Sequence, residues 1–150
     1  MLTSYGFDTY YSDVDNKAID FVVRLDNSKH IDIQVKTIRL KKSSYIFITK
    51  GVSDDKTWSD IDIKRNNLYL ALVLLTDGNY PEAYLIPASV WFEAKAPFSN
   101  REYQKNNLKS KDEWGLQISK KNLSLLEPFQ IAKQVEILQE LSTASENKTL

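Results

Sequence analysis

The residues of this 150-residue chain whose types and spacing can do chemistry lie between Asp20 and Lys36. In HIDIQVKT, polar and apolar residues alternate with the period of a strand. Ile31, Ile33 and Val35 therefore point to one face, and Asp32, Gln34 and Lys36 to the other. Just upstream, in AIDFVV, Asp20 interrupts an apolar run, where a carboxylate is costly unless it is solvated, paired or bound to a cation. Hairpin pairing of the two segments would bring Asp20 beside Gln34 and Lys36, with the register left open by sequence. A carboxylate and an amide oxygen are suited to a hard divalent cation. A lysine two residues from the amide can orient or help deprotonate a water and neutralise charge at a phosphoryl centre. Plainer roles stand beside this one: Asp20 can cap a strand end or pair with Lys17 or Arg24, and Asp32 and Lys36 can form a solvated ladder worth little energetically.

Most other chemistries are excluded by composition. The chain has no cysteine, so it has no disulfide, thiolate nucleophile or Cys-ligated metal, and its one histidine, His30, cannot build a multi-histidine site. No glycine-rich phosphate loop, G-x-S-x-G elbow or dinucleotide fingerprint occurs. Asp13-x-Asp15-Asn16 opens like a calcium loop, but Lys17 and Ala18 stand where an oxygen ligand and a glycine are needed, and Asp60-x-Asp62 fails in the same way. Twenty basic residues balance twenty acidic ones. The balance is uneven along the chain. Residues 1–35 carry Asp8, Asp13, Asp15, Asp20, Asp26 and Asp32 against Lys17, Arg24 and Lys29, whereas 36–50 carry Lys36, Arg39, Lys41, Lys42 and Lys50 without an acid. Arg39, Lys41 and Lys42 are thus candidates for nucleic-acid backbone contact, with Tyr45 and Trp58 as candidate stacking residues. A second, looser basic group comprises Lys105, Lys109, Lys111, Lys120 and Lys121.

The elements that must position these residues are mainly strands. Period-two alternation and turn residues predict strands at Phe7–Tyr11, Ile19–Arg24 and Ile31–Ile38, with Asp26, Asn27 and Ser28 turning the last two into an antiparallel hairpin. Tyr45–Thr49 continues the alternation as the next strand of a meander. The polar stretch 51–67, with Asp54 and Asp55, reads as a loop containing at most one helical turn. LYLALVLL follows as a central strand buried on both faces. Glu82–Ile86 returns as a strand, Ser89–Ala94 forms a short helix, 97–112 is a surface excursion, and Trp114–Ser119 is an edge strand. Pro128 suits the first position of an amphipathic C-terminal helix whose buried stripe is Ile131, Val135, Leu138 and Leu141. The expectation is one domain over 1–141 with a flexible tail over 142–150.

At these residues the chain resembles the PD-(D/E)xK nuclease superfamily, and in particular small uncharacterised bacterial domains in which the motif reads IDF and then QVK. Here those are Ile19-Asp20-Phe21 and Gln34-Val35-Lys36. The resemblance extends more weakly through YIFIT, LYLALVLL, AYLIP and WGLQIS. It implies a restriction-endonuclease-like α+β fold, an αβββαβ core with a central mixed sheet and flanking helices. It also implies Mg2+ or Mn2+ as cofactor: Asp20 would be the principal metal ligand, Gln34 would replace the second acidic ligand, and Lys36 would position the water. DNA is the implied partner and phosphodiester hydrolysis the implied reaction. The family's opening helix often supplies a glutamate, but fewer than twenty residues precede Asp20 and none is Glu. The alternative is therefore a catalytically inactive module of the same fold that binds nucleic acid or a protein partner in a defence or mobile-element system. Under either reading, a missing opening helix would leave a sheet face for a partner such as a second copy in a homodimer. The longest apolar run, Leu68 to Leu75, is far short of a membrane span, and the N-terminal residues lack the pattern of a signal peptide, so a cytoplasmic location is expected.

Overall fold

Alternation in the first third produces three antiparallel strands, β1 (Asp8–Tyr11), β2 (Phe21–Arg24) and β3 (His30–Leu40), in a computed structural model that describes residues 2–11, 18–26, 28–51 and 57–146, the last three by backbone alone. The Asp13, Asp15, Asn16 motif, Lys17, Asn27, Asp54 and Asp55 lie outside the described residues. The β2–β3 turn is tied by Asp26, whose Oδ1 accepts from the Ser28 and Lys29 N–H groups at 2.6 and 2.7 Å.

The next strand, β4 (Ser43–Thr49), departs from the expected meander. The free edge of β3 is taken by β5 (Leu68–Thr76), which runs parallel to it from Asp32↔Leu68 to Leu40↔Thr76, and β6 (Glu82–Pro87) pairs antiparallel beyond β5. The result is a mixed five-stranded sheet in the order β1-β2-β3-β5-β6. With no edge left, β4 joins a second sheet, β4-β8-β7, whose other members are β7 (Phe98–Arg101) and β8 (Glu113–Ser119). Two further expectations are corrected there. The 97–112 excursion contains β7, anchored by buried Phe98. Trp114–Ser119 is the centre of its sheet instead of an edge, because buried Trp114, Leu116 and Ile118 face the core between two partner strands.

The β3–β5 crossover also holds α1 (Asp60–Ile63), a single turn closed by a capping box in which Ser59 and Asp62 bond each other reciprocally. Another one-turn helix, α2 (Val90–Glu93), places Trp91 in the core. The C-terminal helix α3 spans Ile131–Glu146. Pro128 does not start it: the proline sits in a 3-10 helix, Leu123–Phe129, where the missing N–H is equally tolerated. Val135 and Leu138 of the expected stripe are buried, while Leu141 is exposed.

The central sheet is covered on both faces. Val23, Ile31, Ile33, Tyr69 and Leu85 pack against Val135 and Leu138 of α3 together with Leu2 and Phe7. On the opposite face Leu68, Leu70, Leu72, Leu74 and Ile86 join Ile48, Trp114, Leu116 and Ile118 of the second sheet, with Trp58, Ile63 and Trp91 between. Truncating one of these leucines should cost about 2–5 kcal/mol by the lost transfer energy and the cavity left behind. No helix among the described residues is long and apolar enough to cross a membrane.

Candidate active site

Strand alternation places Asp32, Gln34 and Lys36 on the face of β3 that meets the second sheet, and Ile31, Ile33 and Val35 on the face that meets α3. The three polar residues have different surroundings. Asp32 is only 6% exposed, and Arg65 Nη2 donates to its Oδ2 while His30 Nε2 lies 3.6 Å from its Oδ1. It is thus a buried, neutralised carboxylate and not a rung of a solvated ladder with Lys36. Arg65 is itself oriented by Asp62, at 3.6 Å, and by Asn67 Oδ1, which accepts from Arg65 Nε at 3.2 Å. Burial alone would raise the Asp62 carboxyl, but the Ser59 side-chain and backbone hydrogen bonds and the Arg65 charge outweigh it and hold that group below its ordinary range.

Gln34 is 8% exposed, and its carbonyl oxygen Oε1 is buried with no hydrogen-bond partner among the described residues. An unsatisfied buried acceptor costs on the order of 1–3 kcal/mol, so it asks for a partner or a function. Gln34 and half-buried Lys36 line one wall of a groove of about 350 Å³, whose other wall is β4 from Tyr45 to Thr49. The groove exists because β4, displaced from the β3 edge, leaves its own outer edge open toward these two side chains.

Asp20 stands immediately before β2. Its N–H donates to Ile33 O at 2.8 Å, just past the last ladder pair, Phe21↔Ile33. Ala18, buried and left-handed at φ 53°, turns the chain before the regular ladder begins. The Asp20 carboxylate then does what the missing ladder carbonyl would do: its Oδ2 accepts the Val35 N–H at 2.5 Å. Oδ1 has no hydrogen bond among the described residues. Asp20 therefore caps the ladder between Gln34 and Lys36 and still carries an open carboxylate oxygen. No cluster of three or more carboxylates or imidazoles that could hold a metal occurs among the described residues. Any cation here would rest on one carboxylate and the Gln34 amide oxygen, both hard oxygen donors.

The basic residues divide. Arg39 belongs to the opposite face of β3, is exposed, and pairs with Asp77 at 3.6 Å. Lys41 and Lys42 are exposed in the turn between β3 and β4. Of the two candidate stacking residues, Trp58 is 1% exposed in the core and cannot stack on a ligand, because the second sheet closes over it. Tyr45 is half-buried at the groove and donates its hydroxyl to Glu113 Oε1 at 2.6 Å. Two groups escaped the sequence reading: Arg65, which neutralises Asp32 from 33 residues away, and Glu113, which gathers Tyr45, Tyr103 and Arg101 around one oxygen. Only the acidic and basic residue types hinted at them, since both contacts are long-range.

Neither family models nor curated proteins match the chain. Among solved structures it is similar to that of Hjc, a Holliday junction resolvase from the archaeal hyperthermophile Archaeoglobus fulgidus, at 10% identity and a TM-score of 0.45 over 90% of this chain and 86% of that one.

Proposed function

We propose that the protein is a metal-dependent nuclease that hydrolyses phosphodiester bonds in DNA at the groove between β3 and β4. The observation that carries the reading is the buried Oε1 of Gln34, unpartnered among the described residues, beside Lys36 in the groove and one residue from Val35, whose N–H holds the Asp20 carboxylate. Asp20 and Gln34 would hold Mg2+ or Mn2+, which supplies Lewis-acid stabilisation of a phosphoryl centre and a more acidic water. Lys36, half-buried and without an ion-pair partner among the described residues, would offer its ammonium to a phosphate oxygen or the attacking water. The antiparallel β1-β2-β3 set and the crossover to parallel β5 supply the βββ and final β of the core that the resemblance implies.

The test is nicking of plasmid and single-stranded DNA with Mg2+ or Mn2+ by the wild type, Asp20→Ala and Lys36→Ala. Activity confined to the wild type supports the proposal; equal activity in all three, or none in the wild type, rejects it. The second reading, an inactive module of the same fold that binds nucleic acid, is favoured by the hydrogen bond from Val35 N–H, which gives Asp20 a structural duty of its own. Under that reading the wild type binds DNA without cutting it.

A further inference from the structure

The β4–β8 register brings together two lysine pairs far apart in sequence. Ser43 opens β4, Ser119 closes β8, and the two are paired. Lys41 and Lys42 therefore end beside Lys120 and Lys121 at one end of the second sheet. All four are exposed, and none has an ion-pair partner among the described residues. No acid occurs in 36–50 or in 114–126, so both flanks of this end are free of negative charge.

The outward face that begins there carries an aromatic row. Tyr45 and Phe47 are stacked at 6.3 Å between ring centroids with an interplanar angle of 24°, and the Arg101 guanidinium lies 4.2 Å from the centroid of Tyr45. Gly115 underlies the row. A Cβ there would strike Tyr45 Oη and come within 2.6 Å of Ser99 Oγ, so only glycine lets the Tyr45 ring lie flat across the sheet. Arg101 and Glu113 hold Tyr45 in place, while Phe47, at the end of the row, is 52% exposed. An exposed Phe47 ring stacked on a preorganised Tyr45, on a face that begins at four cations without ion-pair partners among the described residues, suits a partner that alternates flat apolar groups with anions. Duplex DNA hides the first of these inside its base stack, and a single strand offers both.

From this juxtaposition we infer that the outer face of the second sheet binds single-stranded nucleic acid, with phosphates on Lys41, Lys42, Lys120 and Lys121 and a base stacked on Phe47. The inference deepens the proposed function by naming the unpaired strand as the form of substrate led to Lys36. Lys36 lies five residues before Lys41, so its Cα is at most about 17 Å away.

Fluorescence anisotropy in EDTA, with a labelled oligothymidylate and a duplex of the same length, tests the inference apart from cleavage. The single strand should bind at least about fivefold more tightly than the duplex. Phe47→Ala should lose about five- to tenfold in single-strand affinity, Phe47→Trp should retain it, and neither should change duplex binding. Replacing the four lysines by glutamine should flatten the salt dependence of single-strand binding by at least about 1 in log–log slope, given about 0.7 per phosphate contact. Equal affinity for both oligonucleotides, or an unchanged Phe47→Ala affinity with an unchanged melting temperature, overturns the inference. Asp20→Ala should bind the single strand as the wild type does. Single-strand binding without metal-dependent cleavage would reject the nuclease reading alone, and cleavage without single-strand preference would reject this one alone.

Discussion

The Oδ2 of Asp20 accepts the backbone N–H of Val35 at 2.5 Å, so the carboxylate closes the β2–β3 ladder between the two other residues of the candidate site. The proposed function gives this side chain a chemical duty beside the structural one, and two substitutions separate them. Asp20→Ala removes the acceptor and should lower stability by about 1 kcal/mol, the net worth of such a bond at an exposed position, as well as abolishing metal-dependent nicking. Asp20→Asn keeps an acceptor oxygen, so its urea midpoint should stay near the wild type, yet without the charge it should also fail to nick. Nicking by Asp20→Asn at the wild-type rate would show that the carboxylate serves the ladder alone.

Gln34 makes the complementary case, because its buried Oε1 has no partner among the described residues. Gln34→Leu, close in volume and apolar, should raise unfolding free energy by about 1–2 kcal/mol by removing the unsatisfied acceptor, while ending metal-dependent cleavage. Chemical denaturation and the plasmid assay on the same preparation check both halves. A stability loss on this change would mean that the amide contributes to packing in a way the orphaned oxygen does not suggest.

Asp32 is the buried charge on this face, and its stability depends on Arg65. Removing one partner of a buried pair strands the other and typically costs about 3–5 kcal/mol. Because the Arg65 side chain is 31% exposed, solvent relieves part of that. Arg65→Ala should therefore destabilise by about 2–3 kcal/mol. Adding Asp32→Leu to it should recover much of the loss, which urea midpoints of the two single variants and the double variant would show.

These residues also mark what the sequence made legible. The alternation of HIDIQVKT assigns side chains to faces correctly because period two is a local property, and the Asp26 turn closes the expected hairpin, while the register that brings Asp20 to the Val35 N–H was open in the sequence. The departure of β4 was not legible: Tyr45–Thr49 alternates as well as any meander strand, and it is displaced only because β5 claims the edge of β3. For β7, FSNR carries no strand pattern of its own and forms through pairing with β8. Burial of Asp32 likewise needed Arg65, whose side chain the loop returns to β3 from a distance no local pattern encodes.

Tyr45 supplies a pH dependence whose sign follows from its surroundings. Burial, and then the hydrogen bond it donates to Glu113, push its hydroxyl up to about 12 from an ordinary value of 10.0, and Tyr84 is raised by burial and by Glu82 in the same way. The folded protein therefore holds these protons after the unfolded chain has released its own. The stabilisation is fully present below about pH 10 and is lost as pH rises through about 12, since over that interval the unfolded state binds fewer protons. Urea midpoints measured at pH 9, 10 and 11 should fall with pH, and Tyr45→Phe should make the fall shallower by removing one titrating group. The same variant leaves Glu113 with Tyr103 and Arg101 as partners, so its midpoint at pH 9 should drop by only about 1 kcal/mol equivalent, one hydrogen bond to a charged acceptor that keeps other donors. A wild-type and Tyr45→Phe pair with parallel pH profiles would place the Tyr45 hydroxyl in water instead of on Glu113.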